Sequence, residues 1–139
     1  MTFSFFKLCR LNVLLAALAI TAAANAQTTS TMTSELPRFL VYFDEFSANL
    51  SDEAKSVIAD AAKRAKDTGA KGIVVQARAS ATGTVETNKY LAQTRSSIVT
   101  DQLEADGIAR TMIRQEPIGQ TGSSDPTVYN RRVDVILQR

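Results

Sequence analysis

The chain contains no histidine, and its one cysteine, Cys9, lies in an N-terminal stretch that reads as an export signal. Without His or a retained Cys there is no His-based catalytic triad and no thiol nucleophile. The imidazole and thiolate ligands of transition-metal centres are missing as well. No disulfide braces the mature chain, although its composition is compatible with an oxidising compartment. A phosphate-cradling loop is also absent, because "GQTGSSDP" (residues 119–126) lacks the lysine that such a motif requires. Carboxylates are present, but no spacing singles out an acid–base pair. The expectation is that the chain is not an enzyme, with no catalytic residues, metal or cofactor.

The N-terminus has a three-part pattern. Met1 to Arg10 carries Lys7 and Arg10 and no acid, and Leu11 to Ala24 is small and apolar apart from Asn12 and Thr21. "ANA" at residues 24–26 then supplies small residues at a cleavage site, so residues 1–26 are predicted to be a secretory signal peptide cut before Gln27. The apolar run falls short of the roughly 20 residues that span a bilayer, so no transmembrane segment is expected in the mature chain. Cys9 precedes that run and is not placed for lipid attachment. Setting Lys7 and Arg10 aside leaves fourteen Lys and Arg against fourteen Asp and Glu. The mature domain is formally neutral, which gives no general attraction to nucleic acid or an anionic membrane.

Residues 27–36 begin "QTTSTMTSE", polar and without apolar period, and are expected to be a flexible leader to a domain over 37–139. Phe39, Val41 and Phe43 alternate with Leu40 and Tyr42, predicting a strand covered on both faces. Ser51 is placed to cap a helix whose Ala54, Val57, Ile58, Ala61, Ala62 and Ala65 form a narrow small-residue face, with Gly69 beyond its end. "GIVVQA" (residues 72–77) reads as a second strand, Val85 to Asp106 as a second helix stopped at Gly107, Met112 to Glu116 as a third strand, and "RRVDVIL" (131–137) as the last. The order β-α-β-α-β-β predicts an α/β two-layer sandwich, with helices packed on one face of a small mixed sheet.

One cation breaks the pattern. Leu91, Arg95, Val99 and Leu103 fall on one row of four-residue steps with Ile98 beside it, which puts Arg95 at the centre of an apolar stripe. A buried guanidinium left alone costs several kcal/mol, so something anionic or carbonyl-rich must meet it. Three partners fit: an internal acid such as Asp44, Glu45 or Asp134; solvent, with the stem lying over apolar surface; or a ligand carboxylate gripped by the planar fork. Other charges read as surface features. Arg131 and Arg132 follow Asn130 as a turn and edge, Asp101, Glu104 and Asp106 form a solvated acidic patch, and Lys63, Arg64, Lys66 and Lys71 form a solvated basic cluster.

Four stretches, "VYFDEFSANLSDEA", "ETNKYLAQTRSSIVTDQLEADGI", "GQTGSSDP" and "NRRVDV", occur in an order and spacing that resembles the OmpA-like C-terminal domain. That resemblance covers Val41 to Leu137 and implies a periplasmic module that holds peptidoglycan. In the family an aspartate and an arginine fifteen residues later grip the diaminopimelate of a stem peptide, with an asparagine eight residues after the aspartate. On this sequence the resemblance places the arginine at Arg95, the asparagine at Asn88 and a leucine at Leu91. The aspartate's position falls on Ser80, within "RAS" (78–80), and Glu45-Phe46 inverts the family's usual order after the first strand.

Ser80 can accept a hydrogen bond from an ammonium without neutralising it, and Arg78 adds positive charge nearby. Losing one charge-assisted hydrogen bond of about 1.5–3 kcal/mol weakens binding roughly tenfold to a hundredfold. The implied function is non-covalent peptidoglycan binding in the periplasm, at the outer membrane or cell wall, with a weakened grip. Its ligand residues would be Arg95, Ser80, Asn88, Arg78 and Asp44. The alternative is a scaffold domain for other envelope proteins, with Arg95 held by an internal acid such as Asp44.

Overall fold

Both α-helices start on a hydroxyl cap and are followed by a glycine at positive φ. The computed structural model describes residues 37–121 and 128–139. The predicted signal, the leader and most of "GQTGSSDP" lie outside the described residues. In α1 (Asp52–Thr68) the Ser51 hydroxyl accepts a hydrogen bond from the Ala54 N–H, and Gly69 ends the helix at φ 62°. In α2 (Val85–Ala105) Thr84 accepts from the Thr87 N–H, and Gly107 follows at φ 89°.

Four strands form one mixed sheet: β1 (Arg38–Tyr42), β2 (Gly72–Ala79), β3 (Ile113–Gln120) and β4 (Arg132–Gln138), in the order β1-β4-β2-β3. β2 and β3 run parallel, joined across α2, while β4 lies antiparallel between β1 and β2. Both helices pack on one face. Val41, Ile73, Val75, Ala77, Val133, Val135 and Leu137 from the strands meet Ala54, Ile58, Ala61, Ala62 and Ala65 of α1 and Ala92, Val99 and Leu103 of α2. Full burial of each larger aliphatic contributes about 1.5–3 kcal/mol, and the alanines let α1 lie close to the sheet. The expected α/β two-layer sandwich is the fold observed.

Four expectations need correction. β1 is an edge strand with helices on only one side, so Leu40 and Tyr42 are 38% exposed instead of covered. β2 continues past Ala77 through Arg78, whose side chain turns away from the helices while Ala79 is buried. β3 runs to Gln120, with a register irregularity opposite Ala77 and Arg78 where Gly119 takes φ 76°. The buried side of α2 is also broader than its apolar row. Ser96 and Thr100 are buried beside Arg95, with hydroxyls bonded to the Gln93 and Ser96 carbonyls, while Leu91 and Ile98 are only half-buried.

No helix among the described residues is long and apolar enough to cross a membrane.

Candidate functional site

Arg95 has no exposed surface. Its Nε donates to the Ser47 carbonyl at 2.8 Å, Nη2 to the Asp44 carbonyl at 2.9 Å and Nη1 to the Arg78 carbonyl at 3.3 Å. The guanidinium carbon lies 5.0 Å from the centre of the Phe43 ring, within cation–π range. Desolvation, and secondarily the charge of Arg131, lowers its pKa to about 10, so it remains a cation at neutral pH.

The expected internal acid is therefore not what meets it. Asp44 contributes its main-chain oxygen, and Asp134 lies on the other side of the sheet among Arg38, Arg78 and Arg132. Nor is the head in water. Carbonyl dipoles receive the fork without a second ion having to be desolvated, which spares the penalty that a buried carboxylate partner would add.

These bonds organise the loop between β1 and α1. Arg95 holds the carbonyls of Asp44 and Ser47, and the Ser47 N–H donates back to the Asp44 carbonyl at 3.2 Å, closing a turn over Glu45 and Phe46. Phe46 sits at φ 52°, the only non-glycine with positive φ among the described residues, and its side chain projects into solvent. The guanidinium thus clamps a turn whose tip carries an acid and an aromatic ring.

Ser80 follows the end of β2, nearly buried, with its hydroxyl 2.7 Å from that of Thr82. Asn88, in the first turns of α2, donates through Nδ2 to the Thr82 carbonyl at 3.0 Å. The Thr82 hydroxyl reaches Glu45 Oε1 at 3.4 Å. Ser80, Asn88 and Arg95 are accordingly grouped at one end of the sheet, with Thr82 linking the first two to the β1–α1 turn. Of the other expected ligand residues, Arg78 brings its carbonyl but not its charge, because strand alternation sends its side chain to the opposite face. The Asp44 carboxylate is exposed. Sequence reasoning missed Ser47, Thr82 and Phe43. Ser47 acts through its main chain, which leaves no trace in residue identity, and Phe43 had been read only as a strand residue.

The arrangement offers a wall of hydroxyls with a carboxylate at its rim, backed by a buried cation. Residues 42–134 match the model of the OmpA family. No curated protein matches the chain. Among solved structures, the peptidoglycan-associated lipoprotein from Burkholderia pseudomallei is similar at 24% identity and TM-score 0.62, over 72% of this chain and 90% of that one. The OmpA-like domain of FopA1 from Francisella tularensis is similar at 21% identity and TM-score 0.63, over 73% of each chain. The periplasmic domain of Helicobacter pylori MotB gives 18% identity and TM-score 0.63, over 75% of this chain and 74% of that one. These three share the two-layer architecture at low identity. The family match spans most of the chain and takes in α1, β2, α2, β3 and the turn that Arg95 clamps, ending at Asp134 within β4. On that match, this chain is a member of the OmpA family.

Proposed function

We propose that this chain is a periplasmic module, exported by its N-terminal signal, that associates non-covalently and weakly with peptidoglycan. Contact would be made through the edge formed by the β1–α1 turn, the end of β2 and the start of α2. The observation that carries this reading is the grouping of Ser80, Asn88 and Arg95 at that edge in a member of the OmpA family. A solved relative of the same fold is named a peptidoglycan-associated lipoprotein, and another is a periplasmic domain.

Two features make the grip weak. Ser80 carries no charge for a ligand ammonium, and the acid in hydrogen-bond contact with the hydroxyl pair is Glu45, reached through Thr82. Arg95 donates three of its five N–H groups to carbonyls and has no exposed surface, so a stem-peptide carboxylate must open the β1–α1 turn and exchange with the Asp44 or Ser47 carbonyl to reach it. Each exchange trades one bond to a charged donor, about 1.5–3 kcal/mol, for another of similar strength. The net gain is small.

The sealed state of Arg95 favours a second reading, in which the domain is an envelope scaffold and the guanidinium serves only the fold. Sedimentation with purified sacculi separates the two. Peptidoglycan association predicts that the mature chain pellets and that Ser80→Asp pellets with roughly tenfold to a hundredfold higher affinity. A folded chain that stays in the supernatant, with Ser80→Asp unchanged, refutes it and leaves the scaffold. Loss of pelleting on truncating Arg95 would not discriminate, because that change also releases the turn.

A further inference from the structure

On the sheet face that the helices leave uncovered, one carboxylate holds three guanidinium groups. Asp134, at the centre of β4, is fully buried there. Arg132 Nε meets its Oδ1 at 2.8 Å, while Arg38 Nη1 and Arg78 Nε each stand 3.7 Å from its Oδ2. Only the first of these is a hydrogen bond. Asp134 Oδ2 and Arg78 Nε are both buried atoms without a hydrogen-bond partner. The neighbouring pair on β3 is balanced, since Arg114 meets Glu116 at 2.9 Å and Gln76 donates to the same carboxylate at 2.7 Å. Three positive groups against one negative leave a local surplus of two positive charges on a mature domain that is neutral overall.

The surplus is reachable from solvent. The Arg38 side chain is 51% exposed, and those of Arg78 and Arg132 are partly exposed. Leu40, paired across the ladder with Asp134, and Tyr42, paired with Arg132, lie half-open on the same face. Arginine and tyrosine beside a partly exposed apolar strip is the composition enriched in the centres of protein interfaces. A membrane surface is typically recognised by clusters of four to eight basic residues, and nucleic acid by many phosphate contacts. Two uncompensated charges flanked by Leu40 and Tyr42 fit a polypeptide better than either.

We propose that this face docks an acidic, extended segment of a partner protein. Carboxylates on one face of the segment would meet Arg38 on one side and the Arg78–Arg132 pair on the other. Apolar side chains lying between them on that same face would cover Leu40 and Tyr42. The surface is separate from the edge that groups Ser80, Asn88 and Arg95, so it stands or falls independently of peptidoglycan association.

The test is titration of the mature chain with a synthetic peptide of about ten residues, with glutamate and valine alternating along one face of the extended chain and serine on the other, followed by amide NMR shifts. The expected result is shifts centred on Leu40, Tyr42, Asp134 and Gln76, with Ser80 and Asn88 unmoved. Replacing the peptide's glutamates by glutamine should weaken binding at least about tenfold, and raising salt from about 50 to about 300 mM should weaken it further. Arg38→Gln, a change at a half-exposed edge residue, should lower affinity about threefold to tenfold. Equal binding of both peptides, shifts elsewhere, an unchanged Arg38→Gln variant, or tighter binding to phosphatidylglycerol vesicles than to the peptide each overturns the proposal.

Discussion

Arg95→Met keeps most of the side-chain volume and removes every donor, so it isolates what the guanidinium does. Three hydrogen bonds from a charged donor are lost, each contributing about 1.5–3 kcal/mol. Against this, burial and the nearby charge of Arg131 together disfavour the cation by roughly 3 kcal/mol, from the lowering of its pKa from 12.5 to about 10 at about 1.4 kcal/mol per pKa unit. The methionine is spared that penalty. Water can reach the Asp44 and Ser47 carbonyls once the turn loosens, whereas the Arg78 carbonyl stays under α2. The expected net loss is about 2–4 kcal/mol, a large part of a domain stability of about 5–15 kcal/mol. Urea unfolding followed by circular dichroism measures it directly, with a fall in Tm of roughly 10–30 °C as a second readout. Amide exchange should quicken first at Ser47. A loss below about 1 kcal/mol, with Ser47 still protected, would refute the reasoning. The guanidinium would then be held in reserve for an external anion and would not be a clamp on the chain.

Three further outcomes follow from local geometry. Phe46→Gly removes a non-glycine residue from positive φ and loses little burial, so stability should rise by up to about 1 kcal/mol in the same urea assay; a clear loss would mean that the ring packs on something. Ser51→Ala deletes the cap of α1 and should cost about 1 kcal/mol, whereas Ser51→Asp should restore most of it. The Asp67 carboxyl is held below its ordinary value of 3.8 by the hydrogen bond and charge of Lys63. Its small contribution is therefore present above the unfolded pKa and lost as pH falls through the folded one. Carbon-detected NMR titration should show the Asp67 pKa rising toward that ordinary value in Lys63→Ala, and no movement would discount the pair.

Most of the architecture was legible in the chain because it follows from local rules. Ser51 and Gly69 bound α1 where capping chemistry places them, and the small-residue face of Ala54 to Ala65 is the face that packs. The strand pattern of residues 131–137 located β4 to within a residue at each end, while β1 was misread on one side. Apolar residues on both faces look the same in sequence whether or not a second layer exists to cover them, and sheet order decided that. The buried hydroxyls of Ser96 and Thr100 escaped notice for a related reason, since each is satisfied by a carbonyl of its own helix or a neighbouring glutamine, as with Gln115.

By itself the sequence determined that a cation would sit on the inner side of α2, because a helix's angular step leaves Arg95 no other direction. It also carried the family pattern and the serine that stands where an acid is usual. Only the tertiary structure decided what the cation meets. Its three acceptors lie 17, 48 and 51 residues away along the chain and are all main-chain oxygens. Every residue has such an oxygen, so residue identity cannot mark which ones the fold will bring together. The same holds for Arg38, Arg78 and Arg132, drawn from three strands to one carboxylate by strand order and register, which no single segment encodes.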